Sequence, residues 1–296
     1  MIEGLFVAVP KNIVDRSGYD PVQLSQFERL TGIHVTRKFI QEQEEVIVEA
    51  IRRFGLSKSI GHIDAVIFVT QTAKRTSPCM AMSVVRELDL QQDVMAFDIN
   101  QSCGAYITAL HVAKTLAGRV LVVCFDQLSL NDGGFGPLIF SDAISFTIVN
   151  GYSGRSSAFR CGYKCFPEGI SSLYRNEDGS KMYMVGDKIF DWATKEVPEF
   201  IMLAGCGFDA EAVVLHQANE TMMDLIVKRS KFSGDVPKSI NEYGNCSLNS
   251  IPVTIAANES ELLGKRLLLI GYGAGFSLSG AALGWPDAAV CSLLEM

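Results

Sequence analysis

The chain runs through one order of segments twice. Asp64-Ala65-Val66-Ile67-Phe68-Val69-Thr70 is a β-branched apolar strand, and Ala212-Val213-Val214-Leu215-His216 repeats it. The corner and small-residue helix I-N-Q-S-C-G-A-Y-I-T-A-L (99–110) returns as I-N-E-Y-G-N-C-S-L-N-S-I-P-V-T-I-A (240–256). The apolar strand Arg119–Phe125 returns as Lys265–Gly273. Strands alternating with helices predict an α/β layered fold with largely buried sheets. The repetition predicts two such units meeting near residues 150–165, one half spanning 1–155 and the other 156–296. Two stacked copies would bury their sheets against shared central helices. That explains why the segments 104–118 and 247–258 carry so few charges.

Composition narrows the function classes. With 296 residues, 48% hydrophobic and 20% charged, the chain is long enough for one large core or two fused ones. The net charge is −7 and no basic stripe occurs, which argues against a nucleic-acid partner. No apolar run reaches the roughly 18 residues of a membrane span. Residues 1–10 read as a first strand, not a signal peptide. The eight scattered cysteines read as reduced thiols of a cytoplasmic protein. Cys161 and Cys165 form a lone C-x-x-x-C with no second pair, so no metal is expected.

Three corners can carry chemistry. Cys103 sits between a strand and a helix that opens at Gly104. A helix N-terminus favours thiolate over thiol, and Gly104 and Ala105 leave room for a substrate. Such a residue is either a nucleophile or a small buried residue at a tight turn. His216 follows an apolar strand in V-L-H-Q-A-N, at the strand end where α/β sheets expose active groups. His34, His62 and His111 sit in surface-like or helical contexts and read as structural. Asn245 occupies nearly the repeat position of Cys103, and Gly244-Asn245 is also an ordinary turn dipeptide. G-Y-G-A-G-F (271–276) opens no helix, so it reads as a glycine-rich strand or turn rather than a nucleotide loop.

Taken in order, these motifs resemble the β-ketoacyl-ACP synthase III branch of the thiolase superfamily. The resemblance rests on Cys103 before Gly104 and Ala105, H-Q-A-N, G-N-x-S-x-x-S-I-P and the C-terminal G-x-G-F segment. T-G-I (31–33), I-F-S-D-A (139–143) and M-V-G-D-K-I-F (184–190) add to it. It implies a duplicated thiolase-like fold, layered α-β-α-β-α, and a homodimer. It also implies a decarboxylative Claisen condensation. Cys103 would be acylated by a thioester, and His216 and Asn245 would hold a malonyl thioester as CO₂ leaves. The backbone of Cys103 and of Gly273, Ala274 and Gly275, flanked by Tyr272 and Phe276, would form the oxyanion and decarboxylation region. No metal or redox cofactor is implied, because the phosphopantetheine arm belongs to the substrate. Lys228 and Arg229 would dock the acyl carrier protein. Arg29, Gln217 and Asn219 would lie at the substrate or coenzyme A entrance.

The departures are specific. Gln26 and Leu30 stand where the family clamps the adenine of coenzyme A with Trp and Arg. Tyr272 replaces Phe, Ala274 replaces a glycine and restricts the backbone there, and Thr221 replaces a basic residue. The chain is shorter before Val48 and across 151–183, which implies a remodelled acyl pocket. Two other functions fit the same residues. One is a Cys-dependent transfer to an alcohol or amine without decarboxylation. The other is a non-catalytic partner subunit of a ketosynthase.

Overall fold

The computed structural model describes residues 2–116, 118–128, 136–151, 159–176 and 182–296. The expected boundary between the halves, at 155/156, lies outside the described residues. Twelve strands form the frame: β1 (Ile2–Val9), β2 (Ala65–Val69), β3 (Met95–Ile99), β4 (Arg119–Asp126), β5 (Ala143–Asn150), β6 (Arg160–Gly169), β7 (Leu173–Arg175), β8 (Met182–Met184), β9 (Ala212–Leu215), β10 (Arg266–Gly273), β11 (Gly275–Gly284) and β12 (Val290–Glu295). The helices that matter here are α1 (Pro21–Thr31), α2 (Gln43–Phe54), α3 (Ala81–Glu87), α4 (Ala105–Thr115), α5 (Gly186–Ala204), α6 (Glu220–Ser230) and α7 (Ser250–Ala257).

Among the described residues these strands build a six-stranded sheet ordered β12-β1-β5-β4-β2-β3, a four-stranded sheet ordered β6-β11-β10-β9 and the pair β7-β8. Side chains alternate across each strand, so each sheet feeds two cores. In β4, Val120, Val122 and Cys124 enter a central core while Leu121, Val123 and Phe125 enter an outer one. In β10, Leu267 and Leu269 join the same central core while Leu268 and Ile270 face outward. α4 and α7 fill the centre; α2 and α3 cover the first sheet; α5 and α6 cover the second. The order is therefore α-β-α-β-α, the duplicated thiolase-like fold. Both sheets are buried on two faces, which is why their strands read as continuous apolar runs.

The repeat is unequal. β2 and β4 pair in parallel and β4 pairs antiparallel with β5, as β9, β10 and β11 do in the second half. The counterpart of β3 has shrunk to a bridge between Ala212 and Asp235. The last strand, β12, crosses back to pair in parallel with β1.

The two halves approach backbone to backbone where α4 begins. α4 buries Ala105, Tyr106, Ile107, Ala109, Leu110 and Ala113, so it is apolar nearly all round, as a central helix must be. A Cβ placed on Gly271 of β10 would fall 2.7 Å from Gly104 Cα. Ser279 Oγ of β11 donates to Gly104 O at 3.0 Å. This contact sets the height of Cys103 above the second sheet. Gly271→Ala is expected to cost about 2 kcal/mol of stability by overpacking. Gly284→Ala, where added carbon meets open space, is expected to leave urea unfolding within about 0.5 kcal/mol of the unaltered chain. Parallel denaturation curves of the two variants check the contrast.

Candidate active site

Cys103, His216 and Asn245 come together on the wall of one cavity of about 590 Å³. Each lies where an element of one half ends. Cys103 stands in the turn between β3 and α4. His216 follows β9, its backbone N–H donating to Ile270 O at 2.8 Å. Asn245 is held on both sides: its N–H donates to Ile139 O at 3.1 Å, and its carbonyl accepts from Ser141 N at 3.0 Å.

The side chains are aimed by their neighbours. Asn245 Oδ1 accepts from Ser247 N at 2.9 Å, which leaves the carboxamide N–H₂ as the donor for the cavity. The His216 ring meets Tyr272 edge-on, centroids 5.2 Å apart. Burial holds the imidazole down to about 4, against a lesser opposing pull from the Ser247 backbone. It is therefore neutral at pH 7 and has one ring N–H to donate. Gly273 packs directly on the thiol: a Cβ there would meet Cys103 Sγ at 3.2 Å.

The helix N-terminus does not make Cys103 a resting thiolate. Burial pushes its thiol up to about 11, and the Asp126 carboxylate adds to the rise, while a contact with Ser247 opposes it. Desolvation of the charged form outweighs the dipole of the α4 N-terminus.

The glycine-rich segment is a tight β10–β11 hairpin turn, not a nucleotide loop. Its left-handed residue is Gly275, φ +88°. Ala274 does not occupy that region, so the expected backbone restriction at Ala274 is absent. Tyr272 and Ala274 line the cavity, and Phe276 stacks on the cavity-lining Trp192, centroids 4.4 Å apart. The Tyr272 hydroxyl is buried and has no hydrogen-bond partner among the described residues.

The expected entrance residues separate. Asn219 lines the cavity and caps α6, its Oδ1 accepting from Met222 N at 2.9 Å. Gln217 does not reach the entrance. It is fully buried, donating to Leu215 O and accepting from Ser239 N. Two residues past the strand end, its side chain turns into the core and satisfies backbone groups there. Arg29 is exposed on α1, whereas Phe27 and Thr31 of that helix line the cavity. Thr221 Oγ1 donates to Leu30 O at 2.8 Å, tying α6 to α1. Lys228 is exposed near the end of α6, while Arg229 reaches back to Thr194 O at 2.7 Å. His34, His62 and His111 stand away from the cavity, next to Glu28, Asp64 and Tyr163.

Sequence reasoning gave no role to Gln71, to Asp126 behind it, or to the cavity walls Leu173 and Met182, and quoted Ser247, Met184 and Phe190 only inside motifs. Asp126 carried a usable signal, being a charge that closes an eight-residue apolar strand.

The chain is similar in sequence and fold to known proteins. Residues 208–285 match the family model described as 3-oxoacyl-[acyl-carrier-protein] synthase III C terminal. The chain is 27% identical to a β-ketoacyl-[acyl-carrier-protein] synthase III of Clostridium perfringens, covering 95% of this chain and 97% of that one. It superposes on the 3-oxoacyl-(acyl-carrier protein) synthase of Burkholderia xenovorans with a TM-score of 0.90 at 25% identity, over 100% of this chain and 96% of that one. The synthase III of Thermus thermophilus gives a TM-score of 0.84 at 25% identity, over 96% and 98%.

The neutral state of His216 has a thermodynamic consequence. The unfolded histidine takes up a proton near 6.5 and the folded one only near 4. Stability from this group is full above pH 6.5 and falls as pH drops toward 4, by up to about 3 kcal/mol. Between pH 7.5 and 5.0, urea unfolding is expected to show about 2 kcal/mol of that loss, and His216→Asn to lessen it. By sequence and fold together, the chain is a condensing acyltransferase with the thiolase fold, similar to the β-ketoacyl-ACP synthase III enzymes.

Proposed function

We propose that this chain forms a carbon–carbon bond between an acyl group held on Cys103 and a malonyl thioester. The observation that carries the reading is the convergence of one thiol and two neutral donors on a single apolar cavity. Cys103 attacks the donor thioester; its C–S bond breaks and an acyl-Cys103 thioester forms. The malonyl thioester carbonyl then lies between the ring N–H of His216 and the carboxamide N–H₂ of Asn245. As CO₂ leaves, negative charge moves onto that oxygen. Two neutral donors spread the charge without neutralising the enolate. The enolate carbon attacks the acyl-Cys103 carbonyl, whose oxygen faces the backbone N–H of Cys103 and the turn at Gly273, Ala274 and Gly275. The 3-ketoacyl product leaves and the thiol returns.

The wall of Leu173, Met182, Met184, Ile189 and Phe190 suits an apolar acyl chain. Acyl carrier protein is the partner we infer for the malonyl arm, docking at Lys228 and Arg229 near the end of α6. Arg29 and Asn219 border its approach. The chemistry calls for no cofactor beyond the thioester substrates. Among the described residues no helix is long and apolar enough to cross a membrane, which is compatible with a cytoplasmic setting. We read residues 1–155 and 156–296 as the two halves, with β12 returning to the first. A homodimer is supported by the sheet edge at β3, where Met95 is 53% exposed, and by Met82 of the neighbouring α3, which is 47% exposed.

Intact-protein mass after incubation with acyl-ACP and acyl-CoA donors tests the first step. A gain of one acyl group, lost in Cys103→Ala, is expected, with acyl-ACP the better donor. CO₂ release from malonyl-ACP tests the second. His216→Ala and Asn245→Ala are each expected to slow it by about 10²-fold or more while Cys103 still acylates. Acylation with no CO₂ release from the unaltered chain would overturn the reading in favour of simple acyl transfer.

A further inference from the structure

Asp126 is buried at the end of β4, and the condensation described above does not use it. Its carboxylate collects donors. Gln71 N reaches Oδ1 at 2.7 Å, Thr70 Oγ1 at 3.1 Å and Thr72 Oγ1 at 3.3 Å. Gln71 Nε2 reaches Oδ2 at 2.9 Å and Ser247 Oγ reaches it at 3.3 Å. All five are donors, which is what an ionised carboxylate satisfies and a carboxylic acid does not.

Ser247 connects this group to the nucleophile. Its Oγ lies 3.7 Å from Cys103 Sγ on one side and 3.3 Å from Asp126 Oδ2 on the other. Gln71 Nε2 donates to the same oxygen at 2.8 Å and fixes it. The Ser247 backbone is held at φ +51°, a region that non-glycine residues avoid, with its N–H on Asn245 Oδ1. Such a conformation persists only where its surroundings over-determine it.

We propose that Ser247 and Asp126 form a proton relay that deprotonates Cys103 for acylation. Ser247 touches the reacting sulfur; Asp126 acts through it. The Cys103 S–H proton passes to Ser247 Oγ as the Ser247 O–H proton passes to Asp126 Oδ2. The sulfur lone pair then forms the new thioester bond, and the donor's C–S bond breaks. The departing pantetheine thiolate takes a proton back along the same path, so Asp126 ends ionised. Burial raises both partners: the carboxyl of Asp126 moves up, which makes it a stronger base, and the thiol moves up to about 11, which makes it need one. Other titratable groups surround the pair. Arg175 faces Asp126 and lowers its shift; Cys124 lies against Asp126; Tyr272 lies against Cys103; neutral His216 shares the cavity.

The test reads Cys103 alone and needs no acyl donor, so it rests on Cys103 as the nucleophile but is independent of the condensation. Iodoacetamide alkylation of the full chain is followed on the Cys103 peptide by mass, between about pH 6.5 and 8.5. A relay keeps thiolate paired with protonated Asp126 at constant proton count, so the rate is expected to be flat across that range. Ser247→Ala and Ser247→Gly should both lose the plateau and rise about tenfold per pH unit, slower than the unaltered chain at pH 7 by at least about tenfold. The glycine variant removes the backbone strain as well as the hydroxyl, so equal effects locate the cause in the hydroxyl. Asp126→Asn gives a difference of sign. The relay predicts slower alkylation at pH 7, whereas a merely static negative charge predicts faster alkylation once it is removed. A unit slope in the unaltered chain, an unchanged plateau in both Ser247 variants, or faster alkylation in Asp126→Asn would overturn the proposal.

Discussion

The approach of α4 to β10 governs the site. Backbone meets backbone at Gly104 and Gly271, and Gly273 then faces the Cys103 sulfur. A side chain at any of the three would push a central helix away from the second sheet. That helix is locked from the other side by the six-stranded sheet, since Tyr106, Ala109 and Leu110 belong to the core that β1, β2 and β4 also line. Close-packed interiors transmit such displacements instead of absorbing them. Cys103 of one half can therefore share a cavity with His216 and Asn245 of the other only because small residues line the seam.

Burial acts in opposite senses on Cys103 and His216, and both senses leave these two side chains uncharged. It keeps Cys103 protonated at about 11 and His216 deprotonated at about 4. An imidazolium beside the enolate would hand over its proton and stop carbon–carbon bond formation. A permanent thiolate in an apolar cavity would lack solvation. Cys103 and His216 are consequently both uncharged at rest, with the Asp126 carboxylate held behind Ser247, and the His216 and Asn245 donors are in place beforehand. Preorganised donors of this kind need no reorganisation when charge appears.

Much of this was legible from local pattern. Strand–corner–helix repetition located Cys103, His216 and Asn245, because each closes an element whose apolar period is visible over a few residues. Gln217 shows where such reading stops. It neighbours His216 in the chain, yet it spends both ends of its amide on Leu215 and Ser239. Ser247 and Asp126 were hidden for a different reason. They meet across 121 residues of chain, and no local periodicity encodes a contact of that length. The wall of Met182, Met184 and Leu173 was hidden likewise, since it comes from the short β7–β8 pair outside the repeated unit.

The departures at the glycine-rich turn now separate into one without backbone consequence and one with a chemical one. The turn needs its left-handed residue at Gly275, and glycine is kept there. Ala274 thus leaves the direction of the backbone N–H groups unchanged. Tyr272 is different. Its ring supports His216 edge-on, a role that any aromatic ring fills. Its hydroxyl, however, is buried without a partner, which costs about 1–3 kcal/mol relative to a paired group. Phenylalanine would keep the ring contact and avoid that cost. The change in this chain lies at the tip of the ring rather than in the backbone beneath it. The β10–β11 turn keeps glycine at its left-handed position, while the wall beside His216 gains a polar atom that a purely apolar site would not carry.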